Sequence, residues 1–367
     1  MQHAKPRKPP RVLPLTRRVR EMVKKKTAKE QTPVEDYVHP PEPLTTPDLA
    51  DYMATQTPVL TADNMNIVYE VDPPVHAVKD VSLVLNRGEI LGLAGESGCG
   101  KTTLAYGVNR LLKPPALLRS GKVTLHDRSG EDIEVTALYG NGLRAFRWDK
   151  ISMVFQGAMN ALNPVISIRA QLFDVFSTHR PHMTKKQKRA ESEELLRLVG
   201  VDPSRLDSFA HELSGGMRQR VMIAMALALK PQVMIMDEPT TALDVVVQRG
   251  ILREIMALRE KFEFAVIFIT HDLPLLLEIS DRIAVMRMGE IVELNTAKNI
   301  YENPQHEYTK KLLSSFPSLL GERGGFVRSG EDEHAHAAPA GSAAAQAAKD
   351  AAKAKDAAAG AGEGSKQ

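Results

Sequence analysis

The segment Gly95-Glu96-Ser97-Gly98-Cys99-Gly100-Lys101-Thr102 restricts this 367-residue chain more than any other. An apolar run bounded by charge and glycine, Glu89 to Ala94 (EILGLA), precedes it and is expected to be a buried strand. A helix-like stretch, Thr103 to Leu112, follows. The glycines let the backbone curl until successive N–H groups face one centre. Such a nest at a helix N-terminus suits a di- or triphosphate. Lys101 then adds a positive charge for β- and γ-oxygens, and the Thr102 hydroxyl is placed to ligate Mg²⁺. Cys99 lies inside the loop and has two readings, an activated thiol or a small apolar filler, of which the filler is favoured.

The second half of the expected site is Met234-Ile235-Met236-Asp237-Glu238. Apolar residues make a buried strand and two carboxylates emerge at its end. Asp237 can hold Mg²⁺, and Glu238 can orient and deprotonate an attacking water. An apolar run ending in Asp-Glu is common. Its place about 135 residues after a phosphate loop, followed by Pro239-Thr240, makes it informative.

Other runs set the architecture. Asn66 to Tyr69 and Val78 to Leu85 read as paired strands, and Val233 to Met236 and Ala265 to Ile269 as buried ones. Residues 165–230 are mainly helical, and 283–296 return to short strands. The expected fold is therefore α/β around a largely parallel sheet. Residues 1–55 are rich in Pro, Lys and Arg and are expected to form a mostly extended arm. Eleven Lys or Arg stand against two Glu in residues 1–30, which fits a solvated tail or an arm for anionic lipid or a partner. Residues 321–367 are expected to be a disordered Ala/Gly-rich tail, in which His334 and His336 carry no metal reading.

Composition excludes several classes. A net charge of +3 and 5% aromatic content give no field or stacking surface for nucleic acid. The single cysteine allows no internal disulfide and fits a reducing cytosol. The longest apolar run, Val221 to Leu229, is about half of what a bilayer span needs. No apolar stretch follows the basic N-terminus, so no secretory signal is expected. A role at a membrane would require a partner.

Leu213-Ser214-Gly215-Gly216-Met217-Arg218-Gln219-Arg220 opens an apolar helix whose free N-terminus can aim N–H groups at a phosphate. With the two elements above, it resembles the signature of ABC ATPases, in which two copies sandwich ATP. The resemblance covers residues 60–318 and implies a P-loop NTPase fold of ABC type: a parallel core sheet, an antiparallel β subdomain and a helical subdomain. The ATPase domain would span 56–296, with the helical part at about 165–230. The resemblance further implies that Gln156 contacts Mg²⁺ or the lytic water and that His271 aligns the water and Glu238. It makes Tyr69 the residue that stacks on adenine, and Ala242-Leu243-Asp244 the loop that crosses to a second subunit. Nucleotide binding would then involve Tyr69, residues 95–103 including Thr103, Ser214, Gly215, Gly216 and Asp244, with Thr102, Gln156 and Asp237 on the metal.

Two segments narrow the resemblance to the oligopeptide/dipeptide import group. They are Phe155-Gln156-Gly157-Ala158-Met159-Asn160-Ala161-Leu162-Asn163-Pro164 and Asn303-Pro304-Gln305-His306-Glu307-Tyr308-Thr309, within a family-type C-terminal segment at 297–320. Where many relatives have Asp-Pro, Gly157-Ala158 stands here, and Glu307 replaces the usual Pro. The resemblance implies ATP and Mg²⁺ as ligands. It implies permease subunits and a second ABC ATPase as partners, and an external solute-binding protein as an indirect one. Many members carry a C-terminal cysteine cluster for iron–sulfur; this chain lacks those cysteines, and no such cluster is expected. The implied place is the cytoplasmic face of the membrane. The cargo stays open among peptides, nickel and oligosaccharides. A repair or chromosome ATPase would need a long coiled coil, a translation factor a second P-loop, and a regulatory subunit would be expected to lack Glu238 or His271.

Overall fold

The computed structural model describes residues 47–157, 161–241 and 243–315. Three five-residue strands are buried along their whole length: β3 (Ile90–Ala94), β7 (Val233–Asp237) and β8 (Ala265–Ile269). Continuous Val/Ile/Leu/Met/Phe runs of this kind belong to parallel strands covered on both faces. They lie in a six-stranded sheet ordered β10-β9-β3-β8-β7-β6, with β6 at Ile151–Val154, β9 at Arg282–Arg287 and β10 at Glu290–Thr296. β9, β3, β8, β7 and β6 run parallel and β10 pairs antiparallel to β9. The antiparallel sheet is ordered β2-β1-β4-β5, from β1 (Pro58–Tyr69), β2 (Val75–Asn86), β4 (Ala116–His126) and β5 (Asp132–Glu134).

Alternation along the parallel strands divides the interior in two. Ile90, Met234, Met236, Val266 and Phe268 face the helical side, with α4 (Ile168–His179), α5 (Lys185–Leu198), α6 (Gly215–Leu227), α7 (Val245–Phe262) and α8 (Leu273–Ile279) supplying the other apolar side chains. Leu91, Leu93, Ile235 and Ile267 face the opposite way. They meet the antiparallel sheet and Leu104, Ala105 and Val108 of α2 (Lys101–Val108). A buried Leu, Ile or Phe contributes roughly 1.5–3 kcal/mol of transfer free energy, so both sides of the sheet are held by burial. None of the described helices is long and apolar enough to cross a membrane.

The structure departs from the expected extended arm at residues 47–54, which form α1 (Pro47–Ala54). Proline is compatible with a first helical turn, and Leu49 is buried while the Tyr52 ring lies 5.9 Å from the Arg282 guanidinium. Tertiary contacts thus hold a helix that proline-rich surroundings concealed. The helix after the phosphate loop is also shorter than expected, because Arg110 adopts φ +57 after the Asn109 cap. The remainder of the arm, Ala158 to Asn160, Ala242, and residues 316–367 with His334 and His336 lie outside the described residues.

At the lower end of β3 and β9 a buried ion pair closes the sheet. Arg282 Nε lies 2.5 Å from Glu89 Oε1, and the two side chains are 2% and 0% exposed. Glu89 Oε2 also accepts the Asn86 N–H at 2.7 Å, and Arg282 donates to the Val84 carbonyl. The carboxylate and guanidinium are therefore hydrogen-bonded beyond each other, as buried charges must be.

Candidate active site

Strand order determines which residues can meet. Leu93 is opposite Ile269 in the β3–β8 pair, Asp237 is opposite Ile269 in the β7–β8 pair, and Val154 is opposite Met236 in the β6–β7 pair. The C-terminal ends of four neighbouring strands thus open on one edge. The phosphate loop leaves β3, His271 follows β8, Asp237-Glu238 ends β7 and Gln156 follows β6. A crevice beyond the carboxyl ends of parallel strands is where open α/β sheets bind ligands.

The loop itself is tightly enclosed. Gly95 has φ +144, and a Cβ there would lie 2.2 Å from the Met286 carbonyl oxygen. Gly100 has φ +110, and its Cβ would lie 2.2 Å from the Ala77 carbonyl oxygen. No other residue type fits either position without moving backbone. Lys101 is 7% exposed and its ammonium donates to the carbonyls of Gly95 (2.7 Å) and Glu96 (2.8 Å). Cys99 is buried, with Sγ 3.6 Å from Lys101 Nζ, and joins the apolar cluster beneath the loop, as a filler would. Glu96, Ser97 and Gly98 form the exposed tip.

Thr102 and Asp237 meet as the spacing implies: Thr102 Oγ1 donates to Asp237 Oδ1 at 3.2 Å. Asp237 is 1% exposed and its Oδ2 has no hydrogen-bond partner among the described residues. Burial pushes this carboxyl up, against the Thr102 hydrogen bond and the Lys101 charge, while the Glu238 charge adds to the rise. A buried carboxylate oxygen without a donor, next to a threonine hydroxyl, is a fitting place for a hard divalent cation. Thr102 and Asp237 are the residues that could hold one.

Glu238 is where three elements converge. Its Oε2 accepts from Gln156 Nε2 at 2.9 Å and from Thr241 Oγ1 at 3.0 Å; its Oε1 lies 3.1 Å from His271 Nδ1. Burial alone would raise this carboxyl. The hydrogen bonds from His271, Thr241 and Gln156 and the nearby imidazole outweigh it and hold Glu238 below the usual carboxylate range. It is therefore a carboxylate at neutral pH. Its backbone has φ +46, a left-handed conformation uncommon for a residue with a Cβ. Strain of this kind, about 1–3 kcal/mol, concentrates at active sites. The Glu238 N–H bonded to the Ile269 carbonyl at 2.9 Å helps hold it.

The Tyr69 hydroxyl lies 3.1 Å from Thr103 Oγ1, which puts the ring at the end of β1 beside the first turn of α2. Ser214, Gly215, Gly216 and Asp244 are elsewhere. Ser214 caps α6, its Oγ accepting from Met217 N at 3.3 Å, and Asp244 caps α7, accepting from Val247 N at 2.9 Å. Gly216 brings these helix starts together, since a Cβ on it would lie 2.8 Å from Val247. Among the described residues, no hydrogen bond or ion pair joins this second group to residues 95–103.

Two partners escaped sequence reasoning. Thr241, three residues after Glu238, could have been found from its i+3 spacing in a turn. Tyr308, whose hydroxyl accepts the Glu96 N–H at 3.1 Å, is 212 residues from the loop and gave no local signal.

Residues 78–241 match the family model described as ABC transporter, and residues 292–342 the one described as oligopeptide/dipeptide transporter, C-terminal region. The glutathione import ATP-binding protein GsiA of Escherichia coli K12 is 41% identical over 270 residues, covering 72% of this chain and 43% of that protein. GsiA of Shigella dysenteriae serotype 1 is 40% identical over the same length and coverage. The chain thus spans less than half the length of the curated relatives it matches. Among solved structures, the dimeric ATP-binding cassette MJ0796 in a post-hydrolysis state with ADP and Pi superposes with a TM-score of 0.57. It is 28% identical, over 65% of this chain and 98% of that one. CbiO1 of Clostridium perfringens, described as part of the ABC transporter complex cbiONQ, superposes with the same TM-score of 0.57. At 24% identity, over 71% of this chain and 97% of that one, it shows the fold alone.

Proposed function

Because the chain belongs to the ABC transporter family, in its oligopeptide/dipeptide branch, we propose that it is an ATP-binding and ATP-hydrolysing subunit. It would power an importer of oligopeptides, dipeptides or a related solute such as oligosaccharides. Glu238 carries this reading: an ionised carboxylate held by Gln156, Thr241 and His271 at the strand edge that bears the Lys101 loop. Glu238 takes a proton from water as the water oxygen attacks the γ-phosphorus, and the bond to the ADP oxygen breaks. His271 and Gln156 hold Glu238 and the water in line. Lys101, now bonded to two loop carbonyls, exchanges them for β- and γ-oxygens. Thr102, Asp237 and Gln156 would hold Mg²⁺, which would supply charge neutralisation to the phosphates. Tyr69 stacks on adenine.

The separation of Ser214 and the phosphate loop supports pairing of two cassettes, each offering its α6 N-terminus to the other's nucleotide. Val245 and Val246, 66% and 81% exposed at the start of α7, are apolar surface that a second subunit would cover. The second subunit is another copy or a related ATPase. A groove of about 790 Å³, lined by Arg144, Trp148, Asn163, Ile166 and His179, is where a cytoplasmic loop of the permease would dock. Val165 and Ile166 stand exposed beside it. Held there, the chain would sit at the cytoplasmic face of the membrane, with a solute-binding protein on the other side. The basic residues 1–30 would be a solvated tail, or an arm that adds contact with anionic lipid, and in neither case needed for hydrolysis.

Lys101→Ala is expected to weaken nucleotide binding by on the order of tenfold to a hundredfold, the range for a lost charge-assisted contact. Titration with a fluorescent ATP analogue measures it, and wild-type affinity in the variant would remove Lys101 from the site. The import reading is tested in vesicles holding the chain with its permease and binding protein. ATP-dependent accumulation of a labelled dipeptide, oligopeptide or oligosaccharide is expected. ATP hydrolysis with no accumulation of any of them would contradict it.

A further inference from the structure

The phosphate loop is braced from outside at two points. On one side, the turn between β9 and β10 reaches it: the Gly289 N–H donates to the Cys99 carbonyl at 3.0 Å, and the Gly289 carbonyl accepts from Lys79 N at 2.8 Å. On the other side stands α10 (Glu307–Ser314), whose Tyr308 hydroxyl accepts the Glu96 N–H at 3.1 Å. The Glu96 peptide is also central to the loop's interior. Its carbonyl accepts from the Lys101 ammonium at 2.8 Å and from Cys99 N at 3.3 Å. The Glu96 N–H also belongs to the Gly95–Glu96 peptide unit, whose carbonyl accepts from the Lys101 ammonium at 2.7 Å, so one peptide unit connects the C-terminal segment to that lysine.

Tyr308 is itself firmly placed. It is 7% exposed, and the Arg287 guanidinium lies 5.1 Å from its ring centroid. Its N–H donates to His306 Nδ1 at 3.0 Å, capping α10. The buried Glu293 carboxylate in β10 accepts from Gln305 N at 2.8 Å and His306 N at 3.0 Å, which fixes the helix to the sheet. Burial pushes the phenol up, so the hydroxyl stays neutral through the physiological range. Next to this contact a cavity of about 370 Å³ separates the loop tip from Lys311, Leu312 and Ser315. The tip is thus held on this side by a hydrogen bond beside open space.

We infer that Tyr308 is a positioning residue for nucleotide binding: through its hydroxyl, α10 holds the Glu96 peptide, and with it the Lys101 ammonium, in the geometry that receives the phosphates. This gives the C-terminal segment a task at the nucleotide, and it rests on the ATP-binding reading above. Its hydroxyl bonds the loop backbone, whereas Glu238 is held by Gln156, Thr241 and His271, so Tyr308 acts on affinity and leaves the chemical step to Glu238. Displacement of α10 by any partner would loosen the loop by the same route.

The test uses the full chain with MgATP and a fluorescent ATP analogue. Tyr308→Phe keeps the ring in place and removes only the hydroxyl. It is expected to weaken affinity about three- to tenfold, as one lost hydrogen bond does, while kcat at saturating ATP stays within about twofold. The nucleotide-free melting temperature should be unchanged, and Lys310→Ala, on the exposed side of the same helix, should bind as wild type. Unchanged affinity in Tyr308→Phe overturns the inference, as does equal weakening by Lys310→Ala or a loss that only follows a lower melting temperature. Should Tyr308→Phe not fold, amide exchange in the wild type decides: Glu96 is expected to be protected, and exchange as fast as an open loop overturns the role. A wild type that binds no nucleotide overturns the ATP reading itself.

Discussion

Replacing Glu238 by Gln is expected to lower the rate of phosphate release from MgATP by about a hundredfold or more, with nucleotide affinity near that of the wild type. Gln keeps the size of the side chain and an oxygen that can accept from Thr241 or Gln156, so the crevice retains its shape. It cannot take a proton from water. The effect is large because the described residues beside Glu238 include no second base of equal standing. Asp237 is buried and bonded to Thr102, and His271 is already engaged with Glu238. Phosphate release followed under saturating MgATP measures the effect, alongside a binding titration. Wild-type turnover in the variant would mean that another group takes the proton.

Glu89→Ala is expected to destabilise the fold by about 3–5 kcal/mol, because it leaves the Arg282 guanidinium buried without its counter-charge. For a domain of this size that corresponds to a fall in melting temperature on the order of 10 °C. The pair ties the entry of β3 to the entry of β9, and the Arg282 side chain is 2% exposed, so water cannot replace the lost carboxylate. Removing both charges together, as in Glu89→Met with Arg282→Met, should cost less than the single change, since the penalty of the single change is mostly an unpaired charge. Thermal melts of the nucleotide-free protein check this. A double variant no more stable than Glu89→Ala would show that packing, and not pairing, governs the site.

The phosphate half of the site was legible because its chemistry is local. A loop that must curl around phosphate needs glycine at fixed spacings, and Gly95 and Gly100 occupy positions where a Cβ would strike backbone. The buried parallel strands were legible for a related reason: covered on both faces, they read as unbroken apolar runs. β4 was not, because it is half exposed, and its ALLRSGKVTLH sequence mixes charge and glycine into the strand. Nor was α1, whose helix follows from packing of Leu49 and Tyr52 in surroundings rich in proline. Glu238 could be named from its place at the end of a buried apolar run, and Gln156 and His271 from resemblance. Their meeting follows from strand order, which no short segment encodes. Tyr308 is the limiting case, a contact between residues 212 apart in the chain.

We propose that each chain holds two half-sites and that ATP joins them across a pair of cassettes. Lys101 and Glu238 lie on one face of the fold's strand edge, while Ser214 caps a helix start bonded to neither. The most direct test is the solution mass of the Glu238→Gln protein by light scattering, with and without MgATP, alone and with its partner ATPase. A mass near 40.4 kDa without nucleotide that doubles on MgATP, in at least one of those mixtures, is the predicted result. A mass unchanged by saturating MgATP in both would contradict the account.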